Sequence, residues 1–145
     1  MQPDTALHLG DPVLDREHTE FQTAVITLRD ATRGGERLAL ETLRSLARAH
    51  FSDEDDELRR VGSHNAQCHL DEHAAVLASL DDVLAVLVSP ERDPVHASEL
   101  CARLAEALLG WLPEHVQQMD AGIAQLRTRE RLGGQTVSFQ RKPDR

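Results

Sequence analysis

Five histidines and two carboxylates, His18, His50, Glu54, His69, His73, His115 and Asp120, carry the chemistry legible in this 145-residue chain. Imidazole and carboxylate are nitrogen and oxygen donors, and seven of them on segments of amphipathic pattern point to a metal site. Side chains four residues apart project from successive turns of one helical face, because each residue advances about 100°. His50 with Glu54 and His69 with His73 have that spacing. The donors exceed what one tetrahedral ion needs, and carboxylates can bridge, so ligand arithmetic favours two metals sharing Glu54 and Asp120.

The elements that must position these residues read as four helices. A first helix is expected after an irregular arm over residues 1–14, with Asp15 as its N-cap and His18, Phe21, Val25 and Leu28 on one stripe. Gly34 and Gly35 end it. The second runs from about Glu36 to Val61, with Leu43, Leu46, His50, Glu54, Leu58 and Val61 aligned. Gly62 and Ser63 supply its stop and a cap for the third, whose stripe is His69, His73, Val76, Leu80, Leu84 and Leu87. After a loop over Ser89 to Pro94, the fourth carries Leu100, Leu104, Leu108, Trp111, His115 and Met119, then Asp120 and Ile123. Short connections favour antiparallel neighbours, so the expected fold is all-α, an up-down-up-down four-helix bundle over residues 15–127. Alternating directions bring all seven candidate ligands to one end. Residues 128–145 lose the periodicity and read as a mobile basic tail, with docking on a partner as the second reading.

Composition bounds the function further. The net charge is −9, and residues 127–145 hold six basic and two acidic side chains, a balance of +4 that leaves −13 on residues 1–126. That argues against nucleic-acid binding, which needs a basic footprint. Apolar runs such as Val83 to Val88 fall far short of the roughly 20 residues of a membrane span, and a cytoplasmic protein is expected. Cys68 and Cys101 form no CxxC pair, so thiolate zinc is not indicated. Cys68 is expected to pack against a neighbouring helix, and His8, His64 and His96 to be solvated.

Taken together, Leu14-Asp15-Arg16-Glu17-His18, His50-Phe51-Ser52-Asp53-Glu54, His69 with His73, and Trp111-Leu112-Pro113-Glu114-His115 through Asp120 resemble the hemerythrins, more narrowly the bacterial hemerythrins with their HHE cation-binding domain. The resemblance spans most of residues 14–123. It implies a non-heme centre of two iron ions, oxo- or hydroxo-bridged, that binds O2 reversibly for storage, delivery or scavenging. By position, His69, His73 and His115 would hold one iron, His18 and His50 the other, and Glu54 and Asp120 would bridge. The two-histidine iron would keep a site open for O2. Trp111, Leu112 and Val116, with Phe21 and Phe51, would form an apolar pocket wall.

The chain departs from the family in lacking tyrosine and in having Leu58 where bacterial relatives often have methionine. Pro113 lies within the fourth helix, where its missing N–H and nearby Gly110 predict a kink. The five-residue step from His115 to Asp120 turns about 140° on a regular helix, which demands a local irregularity if both residues serve one centre. Two other functions stay open: a di-iron oxidase or peroxide-reducing enzyme, and a sensor of O2, redox or iron status. Carboxylate-rich Glu-x-x-His sites mark the ferritin-like oxidases, whereas this site is histidine-rich and four-spaced.

Overall fold

A computed structural model describes residues 5–62 and 65–132. Among them, four long helices, α1 (Pro12–Asp30), α2 (Glu36–Val61), α3 (Ala66–Val88) and α4 (Pro94–His115), pack in a ring in which each helix touches its two chain neighbours and α4 closes on α1. A single 3-10 turn, Thr5–Leu7, precedes α1, and a π-helical turn, Val116–Asp120, joins α4 to a further helix, α5 (Ala121–Arg131). This is the all-α antiparallel bundle the spacing predicts. Among the described residues no helix is long and apolar enough to cross a membrane.

The start of α1 differs from expectation. Asp11 is the N-cap, its side chain accepting from the N–H groups of Val13 and Leu14, and Pro12 fills the first helical position, where a missing N–H costs nothing. Asp15 instead ties the preceding arm to the helix, its carboxylate accepting from the N–H of Leu9 at 2.7 Å and of Gly10 at 3.2 Å. At the other end of the hairpin, α2 stops at Gly62, whose φ of +66° is the left-handed conformation that glycine adopts without a Cβ penalty.

The apolar stripes meet in a main core that includes Val25, Leu28, Leu40, Leu43, Leu80, Leu104 and Leu108. Burying each such side chain stabilises the fold by about 1.5–3 kcal/mol, and Leu80→Ala, at a fully buried position, would cost about 2–5 kcal/mol. A second, smaller cluster joins Leu14, Leu58, Ala66, Ile123 and Ala124. Its members come one to two turns beyond the candidate ligands on α1, α2, α3 and α5. The histidines therefore lie between two apolar layers.

The helical chain continues past Arg127 to Arg131, so residues 128–131, expected to belong to a tail, are part of a helix. Few hydrophobic residues mark this stretch, because long-range ion pairs hold it: the Arg127 guanidinium pairs with Glu57, Arg60 meets Glu130 at 2.9 Å, and Arg131 lies 3.6 Å from buried Asp11. Residues 133–145, to which the mobile-tail and partner-docking readings apply, lie outside the described residues, as does His64. His8 and His96 are exposed, as expected. Cys68 is exposed, contrary to the expected helix packing: it precedes His69 and points about 100° away from that core-facing residue. Cys101 is buried, and burial, aided by the Glu36 carboxylate, pushes its thiol up to about 11.

Candidate metal centre

All seven predicted ligands converge, and all are buried. They form two groups whose donor atoms lie within 4.8 Å of one another: Glu54, His69, His73, His115 and Asp120 in one, and His18, His50, Glu54 and Asp120 in the other. Glu54 and Asp120 belong to both. Asp120 reaches three imidazoles, with Oδ2 at 2.8 Å from His18 Nε2 and Oδ1 at 2.8 Å from His69 Nε2 and 3.1 Å from His115 Nε2. Glu54 offers Oε2 at 2.6 Å to His50 Nε2 and Oε1 at 3.4 Å to both His69 and His73.

The π-helical turn resolves the awkward five-residue step. Over Val116–Asp120 the chain carries one extra residue per turn, and the Ala121 N–H donates to the Val116 carbonyl five residues back. Residues five apart then stack as residues four apart do on an α-helix, so His115 and Asp120 share a face. The α4 helix runs through Pro113 to His115, and the irregularity the ligands need falls just after it.

Three acidic residues missed by the sequence reading surround the histidines. Glu72 Oε1 accepts from His115 Nδ1 at 2.7 Å, Asp55 Oδ1 accepts from His73 Nδ1 at 2.7 Å, and Glu17 lies 3.3 Å from His50 Nδ1. The first three helices thus each lend a carboxylate to a histidine of the next: α1 to α2, α2 to α3, α3 to α4. A signal was available, since each of the three adjoins a ligand in sequence. On a helix an immediate neighbour points about 100° away from the ligand, toward the adjoining helix.

The charges are arranged for a cation. Burial and the neighbouring Asp120 carboxylate both raise the pKa of Glu54, yet His50, His69 and His73 outweigh them and bring it down to about 2. Burial likewise opposes ionisation of Asp120, but His115, His18 and His69 hold it well below the usual carboxylate range. Burial lowers His50 and His69, and the carboxylates overcome it: Glu17 and Glu54 raise His50 to about 10, Asp120 and Glu54 raise His69 to about 9.

Hydrogen bonding alone leaves the site unsatisfied. Both Glu54 oxygens are fully buried without a well-oriented hydrogen bond, and so is His18 Nδ1. His73 and His115 donate from Nδ1 to Asp55 and Glu72, which turns two Nε2 lone pairs toward each other at 3.2 Å. A cation between them converts that repulsion into coordination. Metal–ligand bonds of about 2.1 Å at right angles place neighbouring donors about 3.0 Å apart, the spacing found here. The donor set therefore fits nitrogen- and oxygen-preferring metal ions.

The predicted wall residues are grouped in the main core. Phe51 stacks on His73 with ring centroids 4.0 Å apart and also flanks His50 at 5.7 Å; Trp111 stacks on His115 at 4.3 Å. Phe21 touches both aromatic rings, at 6.1 Å from Phe51 and 6.3 Å from Trp111. Leu112 and Val116 are buried beside His115 along the chain. A groove of about 920 Å³ between α1 and α2, lined in part by Thr23, Thr27, Leu38 and Thr42, includes none of the seven candidate ligands.

Comparison with known proteins agrees with this geometry. The Hemerythrin HHE cation binding domain matches residues 9–126. A bacteriohemerythrin from Ralstonia nicotianae is 30% identical over 121 residues, 83% of this chain and 83% of that protein. No solved structure matches the chain significantly. With the family's match covering all four long helices and a cluster of histidines and carboxylates able to bind metal at their core, the chain belongs to the hemerythrin family.

Proposed function

We propose that this protein binds O2 reversibly at a non-heme di-iron centre, as a carrier, store or scavenger of oxygen and not as an enzyme. The observation that carries the reading is the asymmetry of the two ligand groups, three histidines in one and two in the other, joined by the same two carboxylates. His69, His73 and His115 would hold one iron, His18 and His50 the second, and Glu54 and Asp120 would span both. Two ferrous ions so held would supply a pair of electrons for O2, and the smaller histidine set would leave room for O2 beside it.

The remaining work falls to the chain itself. Asp55 and Glu72 keep the Nδ1 protons of His73 and His115, so the Nε2 lone pairs face inward. Trp111, Leu112, Val116, Phe21 and Phe51 line the pocket and hold back the water and protons that would let reduced oxygen leave. A histidine-rich donor set supports carriage over the oxidase reading.

Anaerobic reconstitution with Fe(II), a metal assay and a visible spectrum under air test the proposal. Two irons per chain and an absorption band that forms with O2 and vanishes on deoxygenation are expected. One metal per chain overturns the di-iron assignment. Continuous O2 consumption with a reductant, without an accumulating oxygenated spectrum, overturns carriage and puts the oxidase in its place.

A further inference from the structure

Among the described residues, Glu72 differs from the other outer carboxylates in serving two rings at once. Its Oε1 accepts from His115 Nδ1 at 2.7 Å and from Trp111 Nε1 at 3.1 Å. Those two residues lie four apart on α4, and the indole stacks on the imidazole at 4.3 Å with the planes 26° apart. Glu72 reaches them from α3, across the helix interface. Asp55 makes the equivalent bond to His73, where Phe51 lies parallel to the imidazole at 4.0 Å, but a phenyl ring has no N–H to hold.

We propose that Glu72 is a positioning residue that sets His115 and Trp111 as one unit, so that metal affinity and the orientation of the pocket's indole wall both depend on this single carboxylate. The physical basis is twofold. A carboxylate on Nδ1–H fixes the tautomer that presents Nε2 to a metal and raises its basicity. The second bond, to the indole N–H, prevents Trp111 from turning without disturbing the acceptor of His115. Asp55 controls an imidazole only, and the two sites therefore form an internal comparison.

The inference rests on the metal-centre reading above, and the experiment separates the two. The chain has one tryptophan, so its emission reports on Trp111 alone. Fe(II) would be titrated anaerobically into the full chain against a chelator of known affinity, and emission recorded on the metal-free protein. Glu72→Gln, Glu72→Leu and Asp55→Asn would be compared. The Glu72 side chain is 36% exposed, so the nearly isosteric Gln variant folds even if the Leu variant does not.

Both Glu72 variants should bind Fe(II) about 10- to 100-fold more weakly and show a shifted emission spectrum. Asp55→Asn should weaken Fe(II) binding comparably and leave the emission in place. Parent-like affinity in Glu72→Gln overturns the proposal, as does a weakened affinity without any change in emission. An equal emission shift in Asp55→Asn overturns it too, because the effect would then be general loosening. Failure of the unmodified protein to bind Fe(II) would sink the proposed function as well, whereas binding that ignores Glu72 sinks this inference alone.

Discussion

Deleting Gln118 should leave the metal centre intact, and the reason lies in helical arithmetic. Gln118 is exposed within the π-helical turn, and without it His115 and the aspartate now at position 120 stand four residues apart. On a regular α-helix of Cα radius about 2.3 Å, a four-residue step turns about 40° and rises about 6 Å, putting the two Cα atoms about 6.2 Å apart on one face. The five-residue step without a π turn would rotate about 140° and separate them by about 8.7 Å, with side chains pointing to different faces. The observed 3.1 Å contact between His115 Nε2 and Asp120 Oδ1 is therefore reached by either of two routes, a π turn with five residues or an α turn with four. Because the extra residue is absorbed within the turn, α5 and its buried Ile123 and Ala124 should keep their register after the deletion. The expected result is Fe(II) affinity within about tenfold of the parent, a change below about 1.4 kcal/mol. Inserting an alanine after Gln118 should instead swing Asp120 a further 100° or so and abolish binding. Fe(II) competition titrations on both variants, with circular dichroism to confirm helicity, make the check. A folded deletion variant that no longer holds iron would refute the argument that the π turn acts through register.

Under the proposed function, Leu112→Asn should retain iron but shorten the life of an oxygenated form, because an amide at a buried position near His115 draws in water; stopped-flow mixing of the reduced protein with O2 would show faster conversion to the ferric form, and an unchanged lifetime would count against the pocket wall. Chelation should lower the melting temperature, since a metal that binds only the folded chain stabilises it by about 4 kcal/mol at a thousandfold excess over Kd; equal melting of loaded and stripped protein would contradict binding to the folded chain. The metal-free protein should also lose stability in alkali. His50 and His69, raised from 6.5 to about 10 and about 9, contribute stability that is full below 6.5 and gone once pH passes 9 to 10, while Glu54, lowered from 4.5 to about 2, contributes above 4.5 and fades as pH falls toward 2. Denaturant melts across pH check this, and a stability that rises from pH 7 to 10 would overturn it.

The seven converging residues were legible because each interrupts an otherwise apolar stripe: His50 and Glu54 continue the line of Leu43, and His69 and His73 that of Val76 and Leu80. A histidine in a core position is conspicuous at its own place in the chain. The outer carboxylates were not conspicuous, since Glu17, Asp55 and Glu72 occupy partly exposed positions where acidic residues are ordinary, and their partners lie on another helix. Asp15 was a sound local candidate for the N-cap, but Pro12 lets the helix begin one turn earlier and frees that carboxylate for Leu9 and Gly10. The end of α5 was hidden for a related reason: Arg127 and Arg131 pair with Glu57 and Asp11 across long stretches of sequence, and periodicity registers buried apolar side chains, not distant ion pairs.

The small apolar layer of Leu14, Leu58, Ala66, Ile123 and Ala124 has a consequence for how fast metal comes and goes. It seals the ligand end of the bundle, and two of its five members belong to α5, which the Arg127 pair with Glu57 pins to α2. An ion leaving the centre through that end must wait for α5 to lift, so the escape rate follows the frequency of a local opening and not the strength of the ligand bonds alone. Arg127→Ala loosens the latch without touching a ligand. Iron transfer to an excess of chelator should then run faster while the equilibrium affinity stays at its original value, because entry and exit share the same gate. Unchanged transfer kinetics in that variant would mean that ions pass by another route.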